Sequence, residues 1–228
     1  MKLFPAIVTL HLLGGLLLLV LLAVQVDAQG RALDGGAPKV ELDRLTRVGL
    51  IATRVMLAVQ LGLGGWGSTN YAVLACTDFP ACQGSWWPEM RFDQGFQIWR
   101  ELGMTAGGEH LSFAALTAIH YVHRLMAYVV LLALGLLAWR LSRFDGLRKL
   151  ARSIAALATL QLVTGLSNVV LDWPLPAALL HTAGAAAMVL CLTWTICASR
   201  RAACTPVADN KRPSAAVDNS ARNATGAA

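Results

Sequence analysis

"LSFAALTAIHYVHRLMAYVVLLALGLLAWRL", residues 111–141, decides how this chain is read. The run is apolar and exceeds the roughly 20 residues that a helix needs to cross a bilayer. Its first half nevertheless carries His120, His123 and Arg124. Ionisable side chains at membrane depth are costly and point to function by default. His120 and His123 are three residues apart and Arg124 lies four beyond His120, so a helix puts all three on one broad face.

The rest of the chain fits that reading. Of 228 residues, 56% are hydrophobic and only 14% are charged, which is outside soluble composition. Four further apolar runs cover about 3–26, 46–67, 150–171 and 175–198. The expected fold is all-α transmembrane: a four-helix bundle with one additional N-terminal transmembrane helix, five spans in all. Residues 1–27 form the extra helix, 28–45 a cytoplasmic loop, and 46–199 the bundle with an outer loop at 68–110. The tail, 200–228, has no apolar periodicity and is expected to be disordered.

The formal net charge of +6 reads as topology. Arg31, Lys39, Arg44 and Arg47 follow the first span, Arg143, Arg148, Lys149 and Arg152 the third, and Arg200 and Arg201 the last. The long loop carries Asp78, Glu89, Asp93, Glu101 and Glu109 against Arg91 and Arg100. Basic loops stay in the cytoplasm, which puts the N-terminus outside and the C-terminus inside. Trp66, Trp86, Trp87, Trp99 and Trp173 are expected in an outer aromatic belt, with Trp139 and Trp194 in an inner one. No basic patch interleaved with aromatics and no Gly-rich phosphate loop occurs, so no nucleic-acid partner is expected.

The first span also has features of a signal peptide, with Lys2 and a small-residue site at Val26-Asp27-Ala28. Cleavage there would invert every later loop against the positive-inside bias. The apolar core is also long for a signal and contains His11, so a retained helix is expected. An echo supports this: "HLLGG" (11–15) and "HTAGA" (181–185) each place a His three residues before a Gly, with Pro5 or Pro176 upstream.

His11, His120, His123 and His181 lie within spans, and His110 ends the long loop. At 1.5 Å per residue His123 sits roughly 16–18 Å from the outer end of its span, His181 roughly 9–10 Å and His11 roughly 10–12 Å. Neutral imidazoles on facing helices can hold a haem iron axially; the plainer alternative is interhelical hydrogen bonding. Gly184, Ala185, Ala186 and Ala187 would leave room for a flat macrocycle, and they equally suit close helix packing. Spacing does not choose between His120 and His123 as a ligand. Arg124 is a candidate partner for a haem propionate. Cys76 and Cys82, in "CTDFPAC", are expected to form a disulfide outside the membrane, structural or redox-active. Cys191, Cys197 and Cys204 read as small apolar or free thiols. "FDQGFQIWRELG", 92–103, is expected to form an amphipathic surface helix.

Several of these stretches also share a resemblance. "GGWGSTNYAVLACTDFPACQGSWWP" (64–88), "AIHYVHRL" (118–125) and "PLPAALLHTAGAA" (174–186) closely resemble the second half of the haem A synthase family. "PAIVTLHLLGG" (5–15) resembles the fourth helix of that family's first half. The resemblance implies eight-span relatives built as two four-helix bundles, which oxidise a methyl of haem O to the formyl of haem A for terminal oxidases. It implies haem b held between His123 and His181, with Arg124 and His120 beside it and a Cys76–Cys82 pair in the loop. His11 would belong to the substrate-haem site, and the chain looks N-terminally truncated. The expected setting is a bacterial inner membrane, with lipid, haem O, and haem O synthase or another oligomer subunit as partners. Two other readings stay open: a non-enzymatic b-type cytochrome or haem-binding module, and a membrane scaffold.

Overall fold

A computed structural model describes residues 3–34 and 39–201. The elements, in order, are α1 (Pro5–Asp34), β1 (Val40–Leu42), α2 (Arg44–Thr69), a 3-10 turn (Ala72–Leu74), α3 (Phe92–Gly95) and α4 (Phe113–Leu141). A second 3-10 turn (Asp145–Leu147), α5 (Arg148–Val170), α6 (Leu175–Cys197) and β2 (Ser199–Arg201) complete the chain. Five helices are long and apolar enough to cross a membrane. The chain is an all-α membrane protein of the expected class. The tail expected to be disordered lies, from residue 202 on, outside the described residues, as do loop residues 35–38.

α2, α4, α5 and α6 close a four-helix ring, and α1 packs outside it against α6 and α2. Capping fixes where the long helices begin. The Asp43 carboxylate accepts from the Thr46 N–H at 3.2 Å and starts α2. The Ser112 hydroxyl accepts from the Ala115 N–H at 3.3 Å and starts α4. Pro176 sits in the first turn of α6, where a missing N–H costs nothing. α1 presents Leu10, Leu17 and Leu21 outward, each more than half exposed. Such a face suits lipid rather than water.

The two ends of the bundle differ in content. At one end, Leu50, Leu134, Leu141, Ile154, Met188 and Leu192 are essentially fully buried in one apolar cluster. That end is closed by β1 and β2, which pair in parallel with Val40 opposite Ser199. Arg140 near the end of α4 donates to Asp43 (3.3 Å) and Thr46 (3.0 Å), tying α4 to the start of α2. The other end carries the long loop 70–112 and the histidines.

Three expectations change. α1 continues to Asp34, because the polar stretch after Val26 keeps good helix formers. There Arg31 pairs with Asp27 at 2.8 Å and donates to the Cys197 carbonyl at 3.2 Å. The surface helix expected at 92–103 shrinks to the single turn of α3, since this segment docks onto α4. Gly95 lies so close that a Cβ there would meet the Ala115 carbonyl oxygen at 2.8 Å. Trp66 leaves the aromatic belt: it is 9% exposed, and its indole N–H donates to the Gly95 carbonyl at 2.9 Å. Trp86, Trp87 and Trp99 are exposed, as a belt requires. The parallel strand pair had no signal in the sequence, each strand being three residues long.

Candidate functional site

The site grows from two helical hairpins built alike. In the first, α2 carries Gln60 and Gly64, and α4 carries His123. In the second, α5 carries Gln161 and Gly165, and α6 carries His181. Gln60 Nε2 donates to the His123 carbonyl at 3.2 Å, and Gln161 Nε2 donates to the His181 carbonyl at 3.0 Å. Each bond pins the backbone of the His-bearing helix to its neighbour. One turn further along, each glycine lets an imidazole approach. A Cβ on Gly64 would meet His123 Cε1 at 3.0 Å, and one on Gly165 would meet His181 Cε1 at 3.3 Å. Each ring therefore sits in a space that a side chain at the facing glycine would crowd.

The hairpins differ at one position. Thr164 precedes Gly165, and its hydroxyl lies 3.0 Å from His181 Nδ1. Leu63 precedes Gly64. His123 Nδ1 is buried without a hydrogen-bond partner among the described residues, and its Nε2 lies 3.5 Å from Gln60 Nε2.

His120 and Arg124 turn elsewhere, toward the long loop. Arg124 is 6% exposed. Its Nη1 donates to the carbonyls of Ala81 (2.8 Å) and Asp78 (3.1 Å), and its Nη2 to that of Cys76 (3.3 Å). A carbonyl can only accept, so His120 Nδ1, 3.0 Å from the Ala72 oxygen, is the donor there. His120 Nε2 then accepts from Arg124 Nη2 at 3.4 Å. Tyr121 donates to the Trp86 carbonyl, and Thr117 receives the Gln83 amide at 2.7 Å. Thr117, His120, Tyr121 and Arg124 form the loop-holding face of α4, while His123 faces α2. The broad shared face expected from the spacing thus divides in two. Apart from His120, the guanidinium partners on display are loop carbonyls.

The loop is a compact body. Cys76 and Cys82 are disulfide-bonded and fully buried. Asp78 accepts from the N–H groups of Gln83 (2.7 Å) and Gly84 (2.9 Å), both left-handed in φ. The Gly84 N–H is the chief reason its carboxyl is held below the usual carboxylate range. His110 is exposed at the loop's end.

Comparison with known proteins bears on this arrangement. The family model described as cytochrome oxidase assembly protein, COX15-CtaA, matches residues 1–193. The chain belongs to the COX15-CtaA family. A curated relative, the heme A synthase of Shewanella oneidensis, is 36% identical over 200 residues. The match covers 84% of this chain and 58% of the relative, so the chain spans little more than half of that protein's length. No solved structure matches.

Within this COX15-CtaA chain, His123 and His181 are each seated against a glycine of the adjoining helix, whereas His120 and Arg124 contact the loop. His11 stands exposed on α1, and the echo around it is only partial. Gly184 presses on α5, where a Cβ would meet Gln161 Nε2 at 2.5 Å, while Gly14 and Gly15 have open space. Sequence reasoning missed Gln60, Gln161 and Thr164. The available signal was a second echo, "QLGLG" (60–64) against "QLVTG" (161–165). It pairs Gln with Gly at i+4, one helical turn apart.

Proposed function

We propose that this chain serves haem A biosynthesis in cytochrome oxidase assembly, as a membrane oxidoreductase acting on haem O. In this reading a methyl group of haem O is oxidised to the formyl of haem A, and a haem b sits between His123 and His181. The observation that carries it is the matched pair of imidazoles on α4 and α6, each seated against a glycine of the adjoining helix. The donor set suits haem iron: two neutral nitrogen ligands carried on two different helices of the ring.

When bound, the haem b supplies one-electron transfer toward the site where substrate is oxidised. The residues of this chain do the holding. Gln60 and Gln161 fix the register of the His-bearing helices, and Gly64 and Gly165 give the rings their depth. Arg124 and His120 fasten the disulfide loop over this end of the bundle and shield it from water. His11, on α1, belongs to the substrate-haem side. The basic segments near β1, β2 and the 145–147 turn collect at one end of the bundle and the acidic loop at the other. This supports a bacterial inner-membrane protein with the loop outside, the N-terminus outside and the C-terminus cytoplasmic. Haem O synthase or another oligomer subunit would be its partner in the membrane.

A second reading has its own support. The four-helix ring contains a complete imidazole pair, whereas His11 is exposed, so the ring could act as a non-enzymatic b-type cytochrome. A reduced-minus-oxidised spectrum of the purified protein tests both readings: a low-spin haem band is expected, and its absence sinks both. Conversion of haem O to haem A, followed by chromatography of extracted haem, separates them.

A further inference from the structure

The two hairpins are alike at Gln, Gly and His and unlike at Thr164 and Leu63. We propose that the two imidazoles are unequal toward haem iron: Thr164 is a positioning residue that makes His181 the permanent axial ligand and leaves His123 exchangeable. This rests on the haem reading above and goes beyond it.

The tautomer of His181 follows from the hydroxyl proton. Thr164 Oγ1 lies 2.7 Å from the Leu160 carbonyl oxygen, which can only accept. The single hydroxyl proton is spent there, so toward His181 Nδ1, at 3.0 Å, Oγ1 acts as acceptor. His181 is therefore protonated on Nδ1, and its Nε2 lone pair is free. A second partner of this kind fixes ring orientation and strengthens a metal-bound imidazole. The Gln161 bond to the His181 carbonyl fixes the helix that carries this ring.

His123 lacks the equivalent. Gly64 and Gly165 bear the same relation to their rings, with Nδ1 at 3.6 Å and 3.7 Å from the built Cβ. Leu63 thus stands where Thr164 stands, and it offers no acceptor. Among the described residues His123 Nδ1 has no hydrogen-bond partner, and its Nε2 lies 3.5 Å from the Gln60 amide nitrogen. An amide nitrogen can only donate, so this long contact falls on the Nε2 lone pair itself, and no acceptor stands behind Nδ1 to hold the ring plane. Of the two, His123 is the ligand that an incoming small molecule would displace.

The test uses the full chain purified in detergent, stripped of haem and titrated with haemin. Thr164→Val keeps the side-chain shape and removes the acceptor; it should weaken haemin affinity by about tenfold or more. It should also raise the reduction potential, because a less electron-rich imidazole stabilises ferric iron less. Thr164→Ser should restore both. His123→Ala should keep a five-coordinate haem, while His181→Ala should bind at least about tenfold more weakly than His123→Ala. Carbon monoxide added to the ferrous wild type should give the spectrum of CO-bound His123→Ala. Equal affinities for the two alanine variants overturn the inequality. A Thr164→Val protein with unchanged affinity and potential overturns the role of Thr164. Both of those results leave the haem reading standing, whereas a wild type that takes up no haemin overturns that reading and this one together.

Discussion

The two ends of the bundle are made of the same four helices and follow opposite rules. At the strand end, leucines, Ile154 and Met188 fill the interior, with Arg140 tying α4 to the start of α2. At the loop end, the interior holds imidazoles, amides, a threonine hydroxyl and the glycines that admit them. In a bilayer, apolar packing gains little from the hydrophobic effect, so tight van der Waals fit must hold the strand end. The loop end gives up that fit to create spaces for rings. Stability and chemistry are thereby separated along the helix axis by a few turns.

That separation can be broken in stages. The largest effect is expected from His123→Ala combined with His181→Ala, which should abolish the haem absorption band. Unfolding of the haem-free protein in denaturant should barely change, because the strand-end core is untouched; a collapsed protein would refute the separation. Leu134→Ala should do the reverse. Truncating this 2%-exposed side chain should cost about 3 kcal/mol, read from the denaturation midpoint, with the haem band unaltered in position.

Replacing Cys76 and Cys82 by Ser comes next. Opening so short a loop should cost about 2 kcal/mol by chain entropy. Added proteolytic cleavage should map to the long loop and not to the strand end. The smallest effect belongs to Asp43. Its hydrogen bonds with Thr46, and then Arg140, hold its carboxyl below the ordinary value. A depressed carboxylate contributes stability above its unfolded pKa, and that contribution disappears as pH falls through the folded value. Asp43→Asn should therefore be slightly less stable than wild type at pH 7 and indistinguishable from it in strong acid, as followed by denaturation at the two pH values.

The helices were legible because each is a long apolar run, a signal carried by every residue in it. The histidines were legible because an imidazole stands out against leucine. What the sequence could not show was which way neighbouring residues on one helix turn. His120, His123 and Arg124 share a stretch of α4, yet their partners lie on different elements, Ala72, Gln60 and the 76–81 loop. Only the packed neighbours decide that. Gln60, Gln161 and Thr164 escaped notice for a related reason: polar residues in spans are ambiguous until their partners are known. The 92–103 segment misled in the other direction. Its amphipathic pattern was real, but docking of Gly95 and Arg100 fixed it as an irregular strap.

The short parallel pair of β1 and β2 has a consequence for how the protein is made. β1 finds its partner 159 positions later in the chain. A ribosome releases the segment between α1 and α2 early, and that segment must wait for α6 to emerge before the pair can form. The pairing is thus a closing event, a knot tied only after the last span is in place. A chain halted within α6 would carry all of α2, α4 and α5 and still lack the stitch that draws the beginning of the ring to its end.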